Sequence, residues 1–267
     1  MLDRLRQWQR QRILRKAGVG GAEWAGVLAA LPATRGLSPA QCARLRELTV
    51  LFLHGRQVVT VGDLQLDRGM RLRLGALACL PILELDLSWY SACSTLVLYP
   101  GDFMARHRYR DDAGLEHQDS RPLSGEAWSR GPVVLSWSDV EQSGQLDGFN
   151  VVIHEFAHKL DMLNGEANGY PPLHRGMAVD AWTAAFSQAY DHFSALVDAG
   201  DPGWVLDAYA AENPAEFFAV TSEVFFERPH GLRGHYPAVY EQLAAFYRQS
   251  PAERLDPWAE QENRLIF

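Results

Sequence analysis

The five residues His154-Glu155-Phe156-Ala157-His158 carry the clearest chemical signal in the chain. On a helix, residues four apart lie about 40° from each other in projection and one turn apart along the axis. Both imidazoles can therefore meet one metal ion. Glu155 points about 100° away from His154, which leaves its carboxylate free to reach a metal-bound water without joining the ligands. A zinc ion held this way lowers the pKa of its water to about 7, and the carboxylate takes the proton as the water attacks. The competing reading is a buried helix with two satisfied histidines. The apolar neighbours Val151, Val152, Ile153, Phe156 and Ala157 predict a helix in either case.

A catalytic zinc site needs a third protein ligand and an open position. Asp161 lies on the same helix face, but it sits about 10 Å from His154 along the axis. It is better placed to accept the free N–H of a ligand histidine. Downstream, Asn213-Pro214 opens a helix that carries Glu216 just before Phe217, Phe218, Ala219 and Val220. A carboxylate beside such neighbours is costly unless paired, protonated or bound to metal. Glu216 is thus a candidate ligand, although its third helical position also suits a capping role with Asn213. Glu212 precedes the helix and reads as solvated, and Glu223 lies two turns on.

These residues need elements to hold them. Asn150 as N-cap and Asn164-Gly165 as a stop predict the motif helix over 151–163. A loop over 166–179 leads to an amphipathic helix over 181–197, whose Trp182, Phe186, Tyr190, Phe193 and Val197 read as core. Further helices run from Asn213-Pro214 to Glu227 and from Tyr236-Pro237 to Tyr247. Upstream, Leu2, Leu5, Trp8, Ile13 and Leu14 among basic residues read as a solvated helix packed by one stripe, in preference to a membrane-surface or partner-binding helix. Ser38 and Pro39 begin a helix to Leu53, and a third helix is expected over 61–80. Strands are expected at 95–99 and 133–138, with a hairpin around Asp111-Asp112-Ala113-Gly114 between them. Helices around a small mixed sheet make one α+β domain over 1–267, its N-terminal helical part about 1–90 and its motif and C-terminal helices about 150–250.

Composition narrows the classes. The 267 residues are 47% hydrophobic and carry 33 acids against 25 Lys and Arg, a net charge of −8. That balance argues against nucleic acid as the main partner. Cys42, Cys79 and Cys93 form no C-x-x-C pair, which suits reduced thiols. The basic N-terminus has no apolar core or cleavage site, and the longest apolar run, 74–83, is too short for a bilayer. A cytoplasmic protein without a membrane partner is expected.

Two long stretches are more telling than the five-residue pattern. Val152-Ile153-His154-Glu155-Phe156-Ala157-His158-Lys159-Leu160-Asp161 and Glu212-Asn213-Pro214-Ala215-Glu216-Phe217-Phe218-Ala219-Val220 together resemble the Mlc titration factor A family, and the likeness extends to Gly131-Pro132-Val133-Val134-Leu135-Ser136-Trp137. The resemblance implies a cytosolic zinc peptidase of zincin-like fold with aminopeptidase-type activity, and an association with the glucose-responsive repressor Mlc. The metal site is also similar to that of the anthrax lethal factor catalytic domain. That likeness implies Glu216 as third ligand beside His154 and His158, and Tyr209 as a donor to the oxyanion. On this expectation Glu155 and Tyr209 are catalytic, the substrate is a peptide, and 133–138 is a sheet edge along which it pairs. A binding protein that sequesters a transcription regulator is the rival reading, and an endopeptidase with a single protein target is another.

Overall fold

The computed structural model describes residues 2–257 apart from 102, 111–115, 124, 128–130, 202 and 204, with backbone alone at 2–3 and in the strands between 103 and 127. The chain opens with α1 (Leu2–Ala17), α2 (Gly21–Ala29) and α3 (Pro39–His54), followed by β1 (Gln57–Thr60) and α4 (Arg68–Cys79). Strands β2 (Thr95–Tyr99), β3 (Phe103–Arg110), β4 (Glu116–Leu123), β5 (Gly125–Ala127) and β6 (Val133–Ser136) come next. The remainder is helical: α5 (Trp137–Gln142), α6 (Val151–Asp161), α7 (Val179–Asp198), α8 (Pro214–Glu227), α9 (Pro229–His235), α10 (Pro237–Tyr247) and α11 (Pro251–Arg254).

The sheet order is β1-β2-β6-β5. The first three strands are parallel, with Val58 opposite Leu96 and Val97 opposite Val134, while β5 runs antiparallel to β6. A mixed sheet is therefore present, and α6 packs beside β5 and β6. One hydrophobic core runs from Trp24 to Leu255, so helices from both ends of the chain share one interior in an α+β arrangement.

Local signals explain the helices that matter. Ser38 and Gln41 form a reciprocal capping box ahead of α3. Asn150 caps α6 by accepting from the Ile153 N–H at 3.0 Å, and Asn213 caps α8 by accepting from Ala215 and Glu216. In α8 the side chains of Phe217, Phe218, Phe225 and Phe226 are at most 1% exposed. Each contributes about 1.5–3 kcal/mol by burial.

Three expectations are corrected. The helix expected over 61–80 begins only at Arg68, where Asp67 caps it by accepting from the Met70 N–H at 2.8 Å. Ahead of it, the β-branched Val58, Val59 and Thr60 extend as β1 beside β2, and Gly62 turns the chain at φ 64°. The apolar stripe expected along α1 is partial, because Leu5 and Trp8 are 52% and 53% exposed while Ile13 and Leu14 are half-buried. Lastly, the strand expected over 133–138 ends at Ser136, where α5 begins, and it is not a sheet edge: β6 lies between β2 and β5, so β5 is outermost among the described residues. The hairpin expected around 111–114 has its paired strands in β3 and β4, and its turn lies outside the described residues.

Candidate active site

Helices α6 and α8 pack face to face and bring together residues separated by about sixty positions in the chain. His154 and His158 project from one face of α6, with ring centroids 4.9 Å apart and Nε2 atoms 3.2 Å apart. Glu216, in the first turn of α8, places Oε2 3.0 Å from Nε2 of His154 and 3.2 Å from Nε2 of His158. Donors about 2.0–2.2 Å from a tetrahedral metal ion stand roughly 3.3–3.5 Å apart, so this triangle has nearly the required size. Two imidazole nitrogens and a carboxylate oxygen are also a fitting donor set. Among the described residues, His154, His158 and Glu216 are the cluster able to hold a metal ion.

The tautomer of His154 follows from its other side. Nδ1 lies 2.7 Å from Oε1 of Glu223 and carries a proton toward it, so Nε2 is the nitrogen that would offer its lone pair to a metal ion on releasing its own proton. Oε2 of the same carboxylate accepts from the Asn150 N–H at 2.6 Å. One turn on, Glu227 accepts from Asn150 Nδ2 and from the Leu146 N–H, both at 2.7 Å. Two buried carboxylates of α8 therefore fasten the start of the histidine-bearing helix. Sequence reasoning noted Glu223 but gave it no role, and it passed over Glu227. The available signal was a stripe: positions seven and eleven after Glu216 fall within about 20° of it on the helix.

Asp161 does not do what its position promised. Oδ2 accepts from the backbone N–H groups of Asn168 and Gly169 at 2.8 and 2.7 Å, and Oδ1 has no hydrogen-bond partner among the described residues. Two loop amides hold this carboxylate, and Glu223 performs the service for His154 instead.

Electrostatics separate the carboxylates by role. Burial raises the Glu155 carboxyl to about 7 against the pull of His154 and His158, and its Oε2 is buried without a partner among the described residues. An acid of that affinity accepts and releases protons near neutrality. Glu216 experiences burial too, but hydrogen bonds to both imidazoles outweigh it and hold the carboxyl well below its ordinary range. For His154, burial disfavours charge, yet the adjoining Glu223 and Glu216 carboxylates raise its pKa well above the usual value. Tyr209 stands on the short 3-10 helix Ala208–Ala211, whose start Asp207 caps through the Tyr209 N–H at 2.8 Å. Its ring lies 6.0 Å from that of His154 and is tilted 34° to it. Burial, followed by the neighbouring carboxylates of Glu216, Glu212 and Glu155, raises the phenol and keeps it a proton donor. The structure thus brings His154, Glu155, His158, Tyr209 and Glu216 into one place and leaves Asp161 outside it.

Comparison with known proteins agrees with this chemistry. The chain is 40% identical over 247 residues to Mlc titration factor A of Yersinia pestis (strain Pestoides F), covering 91% of this chain and 89% of that protein. The same figures hold for Mlc titration factor A of Yersinia pseudotuberculosis serotype O:1b (strain IP 31758). Residues 5–248 match the family model described as glucose-regulated metallo-peptidase M90. With a metal-competent triad at its centre and that match over nearly its whole length, the chain belongs to the glucose-regulated metallo-peptidase M90 family.

Proposed function

We propose that the protein is a zinc-dependent peptidase of zincin-like fold, of aminopeptidase type, acting in the cytoplasm. The observation that carries the reading is the convergence of His154 Nε2, His158 Nε2 and Glu216 Oε2 within 3.2 Å of one another. Zinc suits two imidazoles and one carboxylate, and when bound it supplies Lewis acidity to water and to the peptide carbonyl. Glu155 takes the proton from the attacking water and delivers it to the leaving amine. The Tyr209 phenol donates a hydrogen bond to the oxygen on which negative charge develops. Glu223 holds the His154 ring in its tautomer and orientation. The side of β5 that pairs with no strand among the described residues, beside α6, is the edge along which an extended peptide would add as a further strand.

The test combines metal analysis with aminoacyl-nitroanilide hydrolysis. Wild type should hold one zinc and cleave the substrate. Glu155→Gln should keep the metal and lose activity by about a hundredfold or more. Glu216→Ala should lose the metal, and full retention would overturn its assignment. Free-amine peptides should be cleaved in preference to N-acetylated ones; equal cleavage would replace the aminopeptidase reading by an endopeptidase one.

The name of the Yersinia relatives supports a second activity, binding of an Mlc-like transcriptional repressor. In that role the protein removes a regulator from DNA without itself touching nucleic acid. Glu155→Gln separates the two roles, because repressor binding should persist when hydrolysis is lost.

A further inference from the structure

Far from even, the charge of this acidic protein is concentrated by sign. Helix α1 holds Arg4, Arg6, Arg10, Arg12, Arg15 and Lys16, but Asp3 alone among the 33 acids. Beside it lies a cavity of about 740 Å³ between α1, the end of α3 and the start of α4. Its floor is apolar, made by Ile13, Val19, Val50, Leu53 and Leu72. Its walls are basic: Arg12 and Lys16 on the α1 side, Arg68 and Arg71 on the α4 side. Arg68 is engaged, donating to the Glu23 carboxylate and to the Ala17 carbonyl at 2.8 Å, and so ties the two walls together. Arg12, Lys16 and Arg71 pair with no carboxylate among the described residues.

We infer that this groove is a docking site for an acidic, amphipathic peptide segment of a partner protein. Opposed cations over an apolar floor match a chain that presents carboxylates on its flanks and apolar side chains beneath. The volume lies within the range of built binding pockets. Beyond the cavity the same face of α1 continues toward its N-terminus. By helical spacing, Leu5 and Trp8 share the α1 face of Arg12 and Lys16, and both are more than half exposed. From Leu5 to Lys16 the strip is about 17 Å long, the reach of three helical turns of a bound segment. A small anion would leave most of it uncovered. A bilayer surface would favour a convex ridge, whereas these cations face each other across a hollow.

The experiment uses the full chain and a fluorescein-labelled peptide alternating Glu with Leu and Phe, followed by anisotropy. A basic peptide with the same apolar residues, phosphatidylglycerol vesicles and inorganic phosphate serve as comparisons. Binding of the acidic peptide should weaken as salt is raised. It should fall about tenfold or more in a Lys16→Glu, Arg71→Glu double variant. Ala17 also lines the cavity, and Ala17→Trp, which fills it without changing charge, should cause a similar loss. Peptidase activity should be unaltered in both variants, since neither touches the α6–α8 site. Equal binding of the basic peptide, binding of vesicles in place of the peptide, displacement by inorganic phosphate alone, or indifference to both variants would each overturn the assignment.

Discussion

At the level of single residues, the site depends on where one proton sits. His154 is gripped at Nδ1 by Glu223, at 2.7 Å, and faces Glu216 with Nε2 at 3.0 Å. Gln in place of Glu223 has one accepting oxygen for two donors, the His154 ring and the Asn150 amide, and its own NH2 then confronts the other donor. Glu223→Gln should therefore weaken metal binding about 10–100-fold, measured by competition with a chromophoric chelator, while the helical circular dichroism is retained. An affinity equal to wild type would show that the carboxylate does not orient the ligand. The histidines and Glu155 were legible in the sequence because one helix carries all three at fixed angles. Glu223 was not, since its partner is 69 positions away on another helix and only the packing of α6 on α8 joins them.

Among the elements, the loop between α6 and α7 fixes where α8 begins, and so where Glu216 stands. Gly169 has φ 78°, and a Cβ there would lie 2.4 Å from the Pro214 carbonyl oxygen. Its N–H donates to Asp161 and its carbonyl accepts from Trp182 Nε1. Gly169→Ala should cost about 1–3 kcal/mol through backbone strain, with the clash in addition. Thermal unfolding should show a fall in Tm of several degrees, and the displaced start of α8 should lower metal affinity with it. A variant of wild-type Tm and affinity would mean that the loop does not seat the helix. The bounds of α8 and α10 could be read from Asn213-Pro214, Pro229 and Tyr236-Pro237, because prolines and caps act locally. Strand β1 could not: it has only four residues, alternately exposed and half-buried, and its identity comes from pairing with β2, 38 positions later. At 133–138 the expected sheet edge rested on likeness to other zinc peptidases, and only the pairing of β5 with β6 makes that strand interior.

Across the whole molecule, buried acids couple folding to pH. Glu227 is fully buried, and burial raises its carboxyl to about 8 despite hydrogen bonds from Asn150 and Leu146. In the unfolded chain it titrates near its ordinary value of 4.5. Between those values the folded protein keeps a proton that the unfolded chain has released. The number bound on unfolding falls, so the unfolding free energy declines as pH rises from about 4.5 to about 8 and levels off above. The contribution is fully present below the lower value and lost through the upper one. Its size is roughly a few kcal/mol. Urea unfolding of the metal-free protein should accordingly show stability falling across that window. Glu227→Gln removes the titration and leaves the other buried acids, so its curve should be flatter than wild type. It should also sit lower at acidic pH, where the amide can accept from only one of the two donors. Parallel wild-type and variant curves would mean that Glu227 is ionised in the folded protein across the whole window, its two hydrogen bonds having outweighed burial.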